Sequence, residues 1–367
     1  MNTPETTAVA LFGASVRALA ESAKAAGVRV FGCDLFNDED LVDCCEQVVR
    51  IDRRDYPNGF RRVAEQWIGV PRAYTGGLEN HPDVVAHLAA TGPLWGCSAD
   101  SLRSCRDPHA LRDCGIHTPD VLLSPVDFPA HGAWLVKPIH SSGGRGIQPW
   151  FGGRLPKGCF LHQRVDGLPC SAAFLALPNA TLLIGASTQF IGESWTGAPP
   201  FAYAGGIAPL ELSSQTAQAL QQLGETLRMR FALRGLFGVD AVRNRKDWTI
   251  LEINPRPTAS MELFELAGVG SMFELQRSAF ENGGPLLKSP SRLAGKAIHY
   301  AADRCHLTES LPARGDVWSF ADRPAVETVF DAGDPIATVL AHGAKSEDVL
   351  ERLKRGIAQL GNLLTKA

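Results

Sequence analysis

The sequence predicts an α/β protein that opens on a parallel βαβ unit and continues into α+β lobes. Three observations carry this prediction. An apolar run at residues 9–12 is followed by the tight turn Gly13-Ala14-Ser15, a helix over 16–26 ending at Gly27, and a second apolar run at 28–33. Alternating short apolar and helical segments continue to about Cys97. Beyond that point, strands separated by Gly- and Pro-rich turns replace the regular alternation. At 367 residues, a chain with roughly 150 residues per domain holds about two to three domains. The expected boundaries are 1–98, 99–285 and 286–367.

The elements follow in order. Residues 102–114 read as a helix, with Gly115 just past its end and Pro119 beyond. Residues 134–137 form a short buried strand that ends in Pro138, and the glycine-rich loop Ser141-Ser142-Gly143-Gly144-Arg145-Gly146 follows at once. Strands are expected at 160–165, 172–177 and 181–187. Residues 194–210, with Gly197, Pro199, Pro200, Gly205, Gly206 and Pro209, read as a long loop. A helix over 212–229 precedes two strands, 236–242 and 248–253, around a turn at 244–247. Residues 258–281 read as largely helical. Short strands return from about Gly295, and 346–364 close the chain as an amphipathic helix.

Composition narrows the function. Hydrophobic residues are 45%, enough for packed cores. A net charge of −3 argues against a broad nucleic-acid footprint. No apolar run approaches the roughly 20 residues that a membrane helix needs. The first residues carry Glu5 rather than a basic leader, so they read as the approach to the first strand. Nine scattered cysteines, without a CxxC pair, argue against a zinc site and fit a reducing cytoplasm. Ser15 stands where the second glycine of a dinucleotide fingerprint would be, so a nicotinamide cofactor is not expected.

Two segments carry chemistry. Asp240 and Glu252 are equidistant from Lys246, so an antiparallel hairpin sets them side by side on one face. Asn254, two residues on, shares that face, as does Arg256 while the strand stays extended. Opposed carboxylates repel unless a cation sits between them, and Mg²⁺ takes carboxylate and amide oxygens while keeping positions for phosphate. The alternative is a solvated hairpin face, against which the apolar flanks Leu236-Phe237-Gly238-Val239 and Ile250-Leu251 speak. The loop after Lys137 offers a fixed positive charge and a run of backbone N–H donors, both suited to phosphate oxygens. It is not a Walker loop, because the lysine precedes the glycines.

In order, spacing and composition, WLVKP followed by SSGGRGI, then LHQRVDG, then GLFGVD and LEINPRP resemble the ATP-grasp ligases. That resemblance implies an ATP-grasp fold with a Rossmann-like domain before it and a small β-rich cap after it. GASVRALAESAKAAG and DLFNDED resemble, more narrowly, a predicted carboligase branch related to biotin carboxylase in methanogens and methylotrophs. The resemblance implies that Lys137 contacts the α- and β-phosphates of ATP. Ser141, Ser142, Gly143, Gly144, Arg145 and Gly146 become a lid, and backbone at Gln163 and Val165 reads adenine. Asp240, Glu252 and Asn254 hold two Mg²⁺ ions, which Mn²⁺ can replace. Arg256 stabilises the transferring phosphoryl group, and Arg106 stands where relatives place a further phosphate-binding lysine.

The chain departs from the family in two places. The stretch after the adenine strand has no ribose-binding acid other than Asp166, and Gly238 stands where several ligases carry an arginine. His140 and His162 read as packing or surface groups rather than bases. Glu262 faces either substrate or solvent, and Tyr203-Ala204-Gly205-Gly206 is either a substrate loop or a plain turn. The expected reaction joins a small-molecule carboxylate and an amine through an acyl phosphate, releasing ADP and phosphate, with cofactor biosynthesis on tetrahydromethanopterin or methylofuran as its setting. A phosphotransferase and a non-catalytic MgATP sensor are the alternatives. The sequence leaves the oligomeric state open.

Overall fold

The computed structural model describes residues 8–123, 133–245, 247–281, 284, 286–313, 315 and 317–366. The opening βαβ unit is present. Ala8–Phe12 pairs in parallel with Arg29–Asp34 on one side and Arg72–Tyr74 on the other, and Gln47–Arg50 completes a four-stranded sheet. The helix Arg17–Ala25 buries Leu19, Ala20 and Ala23 against this sheet, and Gly27 takes φ +76 where the chain reverses.

A small antiparallel sheet comes next, in the order Val121–Leu122, Cys159–Gln163, Trp134–Pro138, Gln148–Pro149. The largest sheet is antiparallel and eight-stranded. It runs Asp247–Asn254, Gly235–Asn244, Leu168–Ala176, Thr181–Ile191, Tyr203–Ala208, Leu293–Tyr300, Pro335–Gly343, Trp318–Ala321. Three strands after residue 286 therefore extend the same sheet that carries the Asp240/Glu252 hairpin, while Val329–Phe330, Cys305–Leu307 and Leu364–Lys366 form a separate three-stranded sheet. The helix Ser214–Phe231 covers one face of it and starts at a Ser213 cap that accepts from the Thr216 N–H at 3.1 Å. Phe174 and Phe237, both 0% exposed, stack beneath it with centroids 4.9 Å apart. The closing helix Ser346–Gly361 packs its buried stripe of Val349, Leu353, Ile357 and Leu360 on the far end of the sheet. Among the described residues no helix is long and apolar enough to cross a membrane.

Three sequence expectations are corrected. The helix expected over 102–114 is Ala99–Cys105 with a short turn at Arg112–Cys114, because Pro108 disfavours helical backbone at Asp107. The long loop expected over 194–210 contains the strand Tyr203–Ala208. Its glycines serve close packing rather than turning. A Cβ on Gly205 would stand 2.8 Å from the Lys296 carbonyl carbon, and one on Gly206 would stand 3.1 Å from that of Thr188. The largely helical 258–281 resolves into two short helices, Met261–Leu266 and Met272–Ser278. Gly268 and Gly270, with φ +89 and +147, lie between them.

Candidate nucleotide and phosphate site

Lys137 ends the strand Trp134–Pro138 and reaches from the small sheet to the large one, its Nζ 3.5 Å from Glu252 Oε2. Around it a cleft is lined by Arg106, Ser141, Ser142, Gly143, Gly144, Phe160, His162 and Glu252. The backbone of the glycine-rich loop rests on the strand Tyr203–Ala208, where the Tyr203 N–H donates to the Gly143 carbonyl at 3.3 Å.

On the large sheet Asp240 pairs in register with Glu252. Near the turn Asn244 pairs with Asp247, and Lys246 lies outside the described residues. A register shift between Asp240 and Ala241 leaves Leu251 as the extra residue, and this bulge brings Glu252 opposite Asp240. Burial, then the neighbouring Glu252 charge, push the Asp240 carboxyl up to about 7. Burial opposes ionisation of Glu252 as well, but the Lys137 and Arg106 charges outweigh it and hold that carboxyl below its ordinary value. Of the two carboxyls Asp240 is therefore the one that holds a proton more readily, and Glu252 the one that ionises more readily. Gln189 Nε2 and Asn254 Nδ2 each donate to Asp240 at 2.8 Å. Gln189 was not foreseen from sequence. It sits on Thr181–Ile191, two strands from the hairpin, and no local motif marks it.

These donors fit a hard divalent cation. Asp240, Glu252 and Asn254 present only oxygen ligands, the set that Mg²⁺ and Mn²⁺ take. Among the described residues no group of three His, Cys, Asp or Glu side chains is placed to hold a metal ion, so a cation here would need the amide oxygen of Asn254 beside the two carboxylates. Asn254 Oδ1 faces Arg256 Nη2 at 3.3 Å.

The cations show where an anion belongs. Arg256 and Arg106 both flank Glu79, at 2.7 and 3.4 Å from its Oε1. Arg256 Nε, Arg106 Nε and Arg106 Nη2 are buried and have no hydrogen-bond partner. Buried guanidinium donors left unpaired are costly, and a phosphate oxygen satisfies them. His162 lines the cleft close to Lys137. Burial first, and then that lysine's charge, push it down to about 3, so it is neutral and has no basic role.

The strand expected to reach Val165 ends at Gln163. The Gln163 N–H is taken by the Asp120 carbonyl at 2.9 Å, and neither Gln163 nor Val165 lines the cleft. Glu262 is buried rather than solvated. It pairs with Lys296 at 2.7 Å and with Arg17 in a short contact, and Arg17 also pairs with Asp322 at 3.0 Å. That network ties the helix Arg17–Ala25 to Met261–Leu266 and to the strand Leu293–Tyr300.

A family model described as "ATP-grasp domain" matches residues 107–260. The fold is ATP-grasp. The chain is similar to Rhizobium etli pyruvate carboxylase at 12% identity and TM-score 0.75, covering 95% of this chain but only 37% of that one. It is similar over more of the partner's length to Campylobacter jejuni biotin carboxylase, solved as a beta-gamma-ATP complex, with 12% identity and TM-score 0.73 over 98% of this chain and 92% of that one. The L-amino acid ligase of Bacillus licheniformis aligns at 15% identity and TM-score 0.67, over 99% and 98%. No curated protein matches it in sequence. At these identities the ATP-grasp likeness is one of fold, and the chemistry has to be argued from the site.

Proposed function

We propose that the protein is an ATP-dependent carboxylate–amine ligase that works through an acyl phosphate. The observation that carries this reading is the set of unpartnered buried N–H groups on Arg106 and Arg256, placed beside Lys137 and an oxygen-only carboxylate pair. An anion site fused to a divalent-cation site suits the polyphosphate of MgATP. In this reading Lys137 and Arg106 bind the phosphates, and the Ser141, Ser142, Gly143, Gly144, Arg145 and Gly146 segment closes over them. Asp240, Glu252 and Asn254 hold Mg²⁺, as two ions replaceable by Mn²⁺, which when bound neutralise charge on the phosphoryl oxygens. Backbone near Gln163 and Val165 meets adenine once the lobes close.

The substrate carboxylate attacks the γ-phosphorus in line, and ADP leaves. Lys137 and Arg256 offset charge on the equatorial oxygens, so rate comes from positioning and electrostatics. The amine then attacks the acyl carbon and phosphate leaves, while the lid excludes water. We place this reaction in the cytoplasm, which the free cysteines suit. We assign it to tetrahydromethanopterin or methylofuran biosynthesis on the GASVRALAESAKAAG and DLFNDED resemblance.

The test is nucleotide product typing with MgATP against pooled carboxylic acids and amines. ADP and phosphate formed only with a particular acid–amine pair is the expected result, lost in Lys137→Ala and Glu252→Gln. AMP with pyrophosphate would overturn the acyl-phosphate route. ADP with no need for an amine would make the protein a phosphotransferase, and binding without turnover would make it a sensor.

A further inference from the structure

Glu79 is the group at this site that the chemistry above does not use. It lies on the turn Leu78–Asn80 of the opening domain and is 0% exposed. No local motif marks it, and it stands 177 residues from Arg256 in sequence. Its Oε1 accepts from Arg256 Nη2 at 2.7 Å and lies 3.4 Å from Arg106 Nη2. Its Oε2 is buried without a partner. Burial opposes its ionisation, and the guanidiniums of Arg256 and then Arg106 outweigh that, holding the carboxyl below its usual range.

The chain around Glu79 is moulded to Arg256. A Cβ on Gly76 would stand 3.5 Å from Arg256 Cζ. Tyr74 Oη donates to the Pro255 carbonyl at 3.2 Å, next to Arg256 in the chain. Tyr56 Oη donates to the Gly77 carbonyl at 3.0 Å, and Gly77 itself takes φ +96. Thus the carboxylate is fixed from the segment around the opening sheet, while Arg256 lies within the ATP-grasp match and Arg106 immediately before it.

We propose that Glu79 is a positioning residue that holds Arg256 and Arg106 together, with their remaining N–H groups free for the transferring phosphoryl group. Two buried guanidiniums this close repel. One carboxylate between them offsets that repulsion and fixes their directions. It engages Arg256 Nη2 and lies against Arg106 Nη2, leaving Arg256 Nε and Arg106 Nε without a hydrogen-bond partner and available to phosphate oxygens. The opening segment therefore sets the geometry of phosphoryl transfer. This inference rests on the ligase reading above.

The test compares MgADP alone, a ground-state ligand, with MgADP plus orthovanadate, which mimics the phosphoryl group in transfer. Glu79→Gln keeps the shape and loses the charge. Its affinity for MgADP is expected to stay within about threefold of the parent, since the uncompensated guanidiniums still attract phosphate. Its affinity for MgADP–orthovanadate is expected to fall about 10²-fold, the size of effect a misplacement near 1 Å produces. Glu79→Asp restores part of that loss. In an Arg256→Ala background Glu79→Gln has little further effect, because coupled residues are not additive. A Glu79→Gln protein that is less heat-stable but binds orthovanadate like the parent would reduce Glu79 to a structural ion pair and overturn the proposal. A parent protein that binds no MgADP would instead overturn the ligase reading, and the positioning role with it.

Discussion

Alanine at Gly144 and at its neighbour Gly143 separates the two things a lid glycine does. Both residues take left-handed backbone, φ +80 and φ +64. An alanine at either pays about 1–2 kcal/mol for that conformation, a factor of about 5 to 30 in the seated lid. At Gly143 nothing lies within 4 Å of the added Cβ, so the cost ends there. At Gly144 the Cβ would stand 2.6 Å from the Phe201 carbonyl carbon and 3.2 Å from Ala202 Cα, and closer still to the Phe201 carbonyl oxygen. Carbon atoms pack at about 3.5–4.0 Å, so the lid must lift by about 1 Å, and a displacement of that size costs about 10²-fold in rate. Gly143→Ala should therefore lose about tenfold in kcat and Gly144→Ala about 10²- to 10³-fold. Two assays read this: ADP and amide formation, and tryptic cleavage after the exposed Arg145 with MgATP present. Gly144→Ala should also release ADP without amide, as water reaches the acyl phosphate, and should be cut faster than Gly143→Ala. Equal losses in the two variants would show that the contact with Phe201 does not seat the lid.

Two further perturbations test other parts of the molecule. Burial, and then Asp322, Asp34 and Asp40, push Asp38 up to about 9, against the opposing charge of Arg17. The folded state thus keeps a proton that the unfolded chain releases near pH 4, and this group's contribution to stability falls as pH rises from about 4 toward 9. Asp38→Asn should flatten the decline in Tm between about pH 5.5 and about pH 8.5, and an unchanged decline would assign it elsewhere. Phe237→Ala removes one ring of the buried Phe174 stack and should cost about 3–5 kcal/mol in denaturant unfolding, whereas a cost below about 1 kcal/mol would mean that the site collapses onto the gap.

The sequence was most legible where one segment carries its own logic. The βαβ opening follows from apolar runs broken by Gly13 and Gly27, and the Lys137 strand with its lid follows from a glycine-rich stretch behind a short buried run. The hairpin is instructive because its pairing was reached through a compensation. Equidistance from Lys246 put Asp240 opposite Glu252, yet the turn closes at Asn244 and Asp247, and the bulge at Leu251 restores the register. No glycine at 251 announces that bulge. Glu79 and Gln189 were not legible at all. Each acts on a partner far along the chain, Arg256 and Asp240, and only the packing of whole sheets brings those pairs together. Tyr203–Ala208 misled for the opposite reason, since glycines selected by close strand packing look the same in sequence as glycines selected by turns.

On the proposed ligase reading, the charges at the cleft bear on how nucleotide and divalent cation would bind together. Lys137, Arg106 and Arg256 face Glu79 and Glu252, whose carboxyls are held below their ordinary range, and Asp240, whose carboxyl is pushed up to about 7. While Asp240 holds a proton one positive charge is left over, with three buried N–H groups unsatisfied. Mg²⁺ alone would displace the Asp240 proton and deepen that surplus, leaving more buried charge uncompensated. A polyphosphate alone would meet the cations but lie against the Glu252 carboxylate. Together, the cation neutralises the carboxylate pair and the phosphates satisfy the guanidiniums, so each ligand removes the penalty that opposes the other. The two should bind with positive coupling, and that coupling arises from the same opposed carboxylates that raise the Asp240 carboxyl to about 7.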